Sequence, residues 1–265
     1  MTCCSSCFPM TTTTPLPELL TTLGLRATAA QLNDLLARAT QHRWSPTQLL
    51  EHVVQTEQDD RARKGLERRL TRSRLGRFKA MADSVWNWPT SIDRAAIEQA
   101  LQLDFLATAR NVVLVAPQGL GKTMIAQNIA HQAILAGHSV LFTSASQLLL
   151  DLAAQDSARG LDRRLRHYGS RTTVLVIDEI GYLSYDNRNA DLLFQIVSRR
   201  HEKKSLVFTT NLAFSDWPTI FPNAGSAVAL IDRVIHHADI LRIEGQSWRA
   251  REAHQTLSAK RRPKS

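Results

Sequence analysis

The stretch Val112-Val113-Leu114-Val115-Ala116-Pro117-Gln118-Gly119-Leu120-Gly121-Lys122-Thr123-Met124 decides the fold. Four apolar residues, three of them valine, predict a buried strand. Residues 116–123 then follow the pattern G-x-x-x-x-G-K-[ST] of a phosphate-binding loop in every position but the first, which is Ala116. Ile125, Ala126, Ile129 and Ala130 recur at helical spacing, so the loop sits between a strand and a helix, as that motif requires. Glycines at 119 and 121 permit the backbone to curl so that N–H groups point inward at phosphate oxygens, and the helix N-terminus adds positive field. The expected nucleotide contacts are Pro117, Gln118, Gly119, Leu120, Gly121, Lys122, Thr123 and Met124. Lys122 reaches the β- and γ-phosphates and the Thr123 hydroxyl ligates Mg2+, which makes ATP and Mg2+ the expected cofactors. Ala116 only turns the chain out of the strand, and alanine manages that turn if its φ stays negative.

A chance match is made untenable by a second motif. Val174-Leu175-Val176-Ile177-Asp178-Glu179 is an apolar strand ending in two carboxylates, a Walker B arrangement. Asp178 at the strand end is placed to hold Mg2+, and Glu179 to polarise the attacking water. A third strand, Leu206–Thr210, ends in Thr209-Thr210-Asn211, where Asn211 is expected to orient water or touch the γ-phosphate. Charge on that phosphate calls for an arginine, often supplied by a neighbouring subunit. Arg233 is favoured over Arg200 and Arg188, because it lies in an apolar helical stretch just past the third strand; its ordinary alternative is an internal ion pair with Asp232 or Asp239.

Working outward, strands at 139–143 and 240–243 alternate with helices at 122–136, 160–168 and 190–200, with another opening at Ser146. That alternation predicts an α/β fold with a parallel sheet covered on both faces by helices. A helix from Ile92 to about Leu106 precedes it. Residues 16–77 lack β-branched alternation and read as three or four helices, one starting at Ser45-Pro46 with Ser45 as its N-cap. The predicted division is a disordered extension at 1–14, a helical basic DNA-binding domain with linker at 15–88, the ATPase domain at 89–252 and a basic tail at 253–265.

The 265 residues carry a formal net charge of +9, which suggests a polyanionic partner. The charge is clustered. Arg61, Arg63, Lys64, Arg68, Arg69, Arg72 and Arg74 crowd one helix with Glu67 as the acid among them. Such runs are usually a solvated face, but a helix positive nearly all round favours phosphate contact. Arg163 and Arg164 offer a second, smaller basic group. The three cysteines, Cys3, Cys4 and Cys7, all lie in the first seven residues, which argues against a disulfide framework. No signal peptide and no run of roughly 18 apolar residues is visible, so a cytoplasmic protein with no membrane contact is expected. Met10 is a candidate alternative start.

Together these residues resemble the IstB-like ATP-binding proteins, helper ATPases of bacterial insertion-sequence transposition related to the DnaC helicase loaders within the AAA+ class. The resemblance rests on Leu16-Pro17-Glu18-Leu19-Leu20, Arg68-Arg69-Leu70, Ser91-Ile92-Asp93-Arg94, Leu175 to Leu183 with its Gly181-Tyr182-Leu183 continuation, Thr209-Thr210-Asn211-Leu212, and Asp232-Arg233-Val234-Ile235-His236-His237-Ala238. It implies an AAA+ P-loop core preceded by a small all-α domain. It further implies ATP-driven, head-to-tail assembly on duplex DNA, recruitment of a cognate transposase, and resetting by hydrolysis, with Arg233 at the arginine-finger position. The departures are Ala116, the cysteine-bearing extension and the tail Lys260-Arg261-Arg262-Pro263-Lys264. Two other functions are weighed. A replicative-helicase loader would present aromatics to single strands, and the basic helix has little beyond Phe78. A nucleotide-gated scaffold with a vestigial ATPase sits badly with intact Lys122, Thr123, Asp178 and Glu179.

Overall fold

In a computed structural model, residues 14–81, 86, 90–245 and 247 are described. The cysteine-bearing extension, most of the Trp-bearing linker and the basic tail lie outside them. The chain divides into two compact units, residues 1–67 and 68–265.

The first unit is all helical: α1 (Leu16–Thr22), α2 (Arg26–Ala30), α3 (Leu32–Gln41) and most of α4 (Pro46–Ser73). Helix α4 begins with a reciprocal cap. The Gln48 N–H donates to Ser45 Oγ at 3.3 Å while Gln48 Oε1 accepts from the Ser45 N–H at 2.8 Å. The buried Glu57 carboxylate accepts from the Thr28 N–H at 2.8 Å, tying α4 to the start of α2. The basic stretch is no separate helix. It continues α4, since nothing between Pro46 and Ser73 breaks a helix except the tolerated Gly65.

The second unit holds a six-stranded sheet of β1 (Ser91–Ile92), β2 (Asn111–Val115), β3 (Val140–Ser144), β4 (Val174–Asp178), β5 (Leu206–Thr210) and β6 (Ala238–Glu244). Their order is β1-β6-β2-β5-β4-β3, and all neighbours are parallel except the short β1, which pairs antiparallel with the end of β6. The helices are α5 (Arg94–Gln102), α6 (Lys122–Leu135), α7 (Ala145–Ala153), α8 (Ala158–Arg166), α9 (Asn187–Arg200) and α10 (Ala224–Ile235). The central strands are apolar between their polar ends because both faces are covered: Val112, Val113, Leu114, Val174, Leu175, Val176, Ile177, Val207 and Phe208 have no exposed surface. Val113, Leu175, Ile177 and Phe208 join the core formed with α7, α9 and α10. Their period-2 neighbours turn to the other face, where α6 packs across β2, β3, β4 and β5 with α5 beside it. Each fully buried Ile or Leu there contributes about 1.5–3 kcal/mol. Strand β6, next to the edge, alternates instead, with Leu241 and Ile243 buried and Ile240 exposed.

Side chains set the helix starts. Asp93, Ser144, Ser157, Asp186 and Asn223 each accept from the N–H three residues on. Helix α9 therefore starts at Asn187, earlier than the apolar period beginning at Ala190 indicates. The largest polar structure in this core is Arg200, which has no exposed surface. Its guanidinium donates to the carbonyls of Tyr168, Thr172, Thr173 and Ser205 at 2.7–3.1 Å. Burial pushes its pKa down to about 9, which still leaves it charged at neutral pH.

Candidate nucleotide-binding site

Parallel strands put all their C-terminal ends on one edge, and register aligns them. Val115 pairs with both Thr210 and Arg242, and Ser144 pairs with Asp178. The loop after β2, the acids after β4 and the polar end of β5 therefore share that edge, where open α/β sheets bind ligands.

The loop turns as its sequence requires. Gly119 and Gly121 have φ of +77° and +86°, values that a side chain would strain. Ala116 makes its turn without a positive φ; it is buried, and its N–H donates to the Thr210 carbonyl at 3.1 Å. Lys122, buried at the start of α6, donates from Nζ to the carbonyls of Ala116 and Pro117 at 2.6 and 2.8 Å. Thr123 Oγ1 lies 3.1 and 3.0 Å from the two oxygens of Asp178. This hydroxyl and carboxylate form an oxygen-donor pair of the kind a hard divalent cation takes.

The acids are held by a residue the sequence reading did not single out. Thr209, fully buried on β5, donates its hydroxyl to Asp178 Oδ1 and accepts from the Glu179 backbone N–H at 2.9 Å. One hydroxyl thus fixes both carboxylate residues. Glu179 itself is exposed, with φ +63° and ψ +41°, a left-handed conformation costing a non-glycine residue roughly 1–2 kcal/mol. Such outliers concentrate at functional sites, where neighbours hold them in place. A threonine in a strand is unremarkable by itself; the available signal was two threonines ending an otherwise apolar strand beside an Asp-Glu strand.

Asn211 follows Thr210 at the same edge. Its Oδ1 is buried and has no hydrogen-bond partner. A Cβ on Gly181 would lie inside van der Waals contact of that oxygen and 3.0 Å from Thr210 Oγ1. The Gly181-Tyr182-Leu183 continuation thus gains a physical reason: only glycine lets the turn after β4 pass Asn211. Lys122, Thr123, Asp178, Glu179 and Asn211 are brought together.

Arg233 is not among them. It lies in the last turn of α10, with its guanidinium 4.2 Å from the Phe194 ring centroid of α9. Of the two alternative ion-pair partners, Asp239 is engaged by Arg110. Arg200 is withdrawn as a finger because it is buried among carbonyls; Arg188 is exposed near the start of α9.

The basic residues separate into free and engaged sets. Arg61, Arg68, Arg72 and Arg74 are exposed on α4 or just beyond it. Arg63 bonds Asp60 and Glu67, and Lys64 bonds Asp60, so this acid preceding the basic run lowers its effective charge. Those bonds hold the Asp60 carboxyl below its usual range, chiefly through Lys64. Arg69 Nε donates to the Ile134 carbonyl at 3.1 Å at the end of α6. On α8, Arg163 is exposed, whereas Arg164 pairs with Asp151 at 2.6 Å.

The strand order, the phosphate loop and the acid-tipped β4 define a P-loop ATPase of the AAA+ class. The family model described as IstB-like ATP binding protein matches residues 18–256, and the chain belongs to that family. It is 33% identical to a Pseudomonas aeruginosa protein named as an ATP-binding protein of insertion sequence IS21, covering 89% of each chain. It is 30% identical to the corresponding IS5376 protein of Geobacillus stearothermophilus, covering 87% of this chain and 91% of that one. Among solved structures, DnaI superposes with a TM-score of 0.53 at 20% identity over 65% of this chain and 91% of its own. DnaA bound to AMPPCP and single-stranded DNA gives 0.52 at 16% identity over 68% and 54%. These two likenesses are of fold. Among the described residues no helix is long and apolar enough to cross a membrane.

Proposed function

We propose that this ATPase is a DNA-binding helper of insertion-sequence transposition, which assembles head to tail on duplex DNA with ATP bound and recruits or stimulates its cognate transposase. The observation that carries this is near full-length similarity to ATP-binding proteins of insertion sequences, joined to an unbroken set of phosphate-loop and acidic residues.

In this proposal residues 117–124 bind the ATP phosphates. Lys122 exchanges its two carbonyl partners for phosphate oxygens, and Thr123 with Asp178 holds Mg2+. The bound ion would neutralise phosphate charge. Glu179 accepts a proton from the attacking water, and Asn211, its Oδ1 unpaired, orients that water. Arg233 leaves Phe194 to reach the γ-phosphate of an adjoining subunit, a head-to-tail contact that builds rings or open helices. Helix α4 and the residue just beyond it supply DNA contacts through Arg61, Arg68, Arg72 and Arg74, joined by Arg163 on α8. Arg63, Lys64, Arg69 and Arg164 contribute only after giving up the partners they hold. Absence of an evident base-reading motif favours binding governed by DNA backbone and deformability.

The test is sedimentation of the purified protein with duplex DNA under ATP, ADP and no nucleotide. Large DNA-bound assemblies confined to the ATP sample support the proposal. Nucleotide-independent binding by small species would overturn it; preferential loading on single strands would replace it with a helicase-loading role.

A further inference from the structure

The segment ending in His236-His237 is specific to the resemblance, yet nucleotide chemistry uses neither histidine. Both lie at the end of the sheet opposite the phosphate loop, where α10 runs into the start of β6. The His237 carbonyl there accepts from the Asn111 N–H at 2.7 Å, at the beginning of β2. Helix α9 ends at the same place, and the next two residues are His201 and Glu202. Glu202 takes the left-handed conformation, with φ +57°.

These side chains converge on one oxygen. Glu202 Oε1 lies 3.8 Å from His201 Nε2, 3.8 Å from His236 Nδ1 and 3.7 Å from His237 Nε2. The donor atoms of His201, Glu202 and His236 all fall within 4.8 Å of one another. The His201 and His236 rings are tilted by 42° with centroids 5.7 Å apart, so they do not stack, and their nitrogens are left to face a shared point.

We propose that His201, Glu202 and His236 bind a divalent transition-metal cation of the zinc class. Imidazole nitrogens and a carboxylate are the donors such ions prefer. Bonds of about 2.0–2.2 Å in a tetrahedron put ligands roughly 3.3–3.6 Å apart, only a few tenths of an ångström inside the observed His–Glu separations. His236 and Glu202 are more than half exposed and His201 about a quarter, so small rotamer changes close the set and leave a fourth position for water or His237. The ion would clip the end of α9 to the end of α10. These are the two helices whose contact seats Arg233 on Phe194, so metal occupancy would steady the proposed finger from the turn next to it at the end of α10. The metal site itself does not depend on the finger's role.

Cobalt(II) titration of the full chain, without nucleotide or a histidine tag, tests this. Cys3, Cys4 and Cys7 are changed to Ser, because thiolates compete for the same ions. The expected result is the intense visible absorption of tetrahedral cobalt, saturating at one equivalent and displaced by zinc. His201→Ala and His236→Ala should each weaken binding on the order of tenfold or more, while retained ATP binding shows that the variants fold. No such spectrum, or a spectrum unchanged in the His201→Ala/His236→Ala double variant, would overturn the proposal. Nucleotide-dependent assembly on DNA is read separately, so failure of the metal site leaves that result standing.

Discussion

Thr209→Val removes one hydroxyl and keeps the shape of the side chain. The loss is larger than one hydrogen bond. Asp178 loses a donor to a charged oxygen, worth about 1.5–3 kcal/mol, and the Glu179 N–H loses its acceptor, at about 1–3 kcal/mol if it stays buried. No cavity opens, so the expected destabilisation is about 3 kcal/mol, read as a lower midpoint in urea unfolding at constant slope. The catalytic consequence comes through geometry. Without the hydroxyl, Glu179 has less to hold it left-handed, and relaxation returns roughly 1–2 kcal/mol while swinging the carboxylate away. Displacement of a catalytic group by about 1 Å can cost on the order of 100-fold in rate. The phosphate loop is untouched, so ATP affinity, measured with a fluorescent analogue, should stay within about threefold. Steady-state turnover should fall on the order of 100-fold, and Thr209→Ser should restore most of it. A Thr209→Val enzyme with wild-type kcat, or one whose whole loss lies in KM, would refute the claim that this hydroxyl positions the acids.

Other substitutions probe other parts of the chain. Gly181→Ala should displace Asn211 and lower kcat with little change in ATP affinity; a crystal structure with Asn211 unmoved would refute the steric argument. Lys122→Ala should abolish measurable binding of the fluorescent nucleotide and lower the thermal midpoint of the apo protein modestly, since two carbonyls lose a charged donor. Arg200→Met takes a charged donor from four carbonyls, those of Tyr168, Thr172 and Ser205 buried, and should destabilise the protein by about 3–5 kcal/mol, measured by denaturant unfolding. Combined Arg68→Ala, Arg72→Ala and Arg74→Ala should reduce the slope of log K against log salt by about 2–3 in duplex binding; an unchanged slope would mean these arginines do not meet phosphate.

The parts of the fold legible in the sequence are those fixed by burial on both sides. β2, β4 and β5 each hold an apolar run of three or four residues, and their ends carried the phosphate loop, the acids and Asn211. Strand β6 was legible only over Ile240–Ile243, because its outer residues alternate as an edge demands. The two-residue β1 left no periodic signal at all, and its pairing with Glu244 and Ile243 depends on the rest of the sheet being in place. The two-turn 3-10 helix at Phe214–Thr219, which buries Trp217, is hidden by Pro218 within it. At the site, chemistry was legible where a motif names the residue. Thr209 was not, since its importance lies in two partners, Asp178 and the Glu179 N–H, both some thirty residues away and adjacent to it only across strands. The engaged state of Arg63, Lys64 and Arg164 was equally hidden: Asp60 precedes the counted run, and Asp151 lies on another helix.

Arg200 gathers carbonyls from the stretch between α8 and β4 (Tyr168, Thr172, Thr173) and from Ser205 just before β5, two stretches some thirty residues apart along the chain. The last residue of α9 thus ties the starts of β4 and β5 together; of these carbonyls, that of Ser205 also accepts from the Leu175 N–H at 3.4 Å. The two strands carrying Asp178 and Thr209 therefore cannot open one at a time without stranding a buried cation. Strands β4 and β5 should open as a single cooperative block, with the buried backbone amides of Val174–Asp178 and Leu206–Thr210 exchanging with deuterium together.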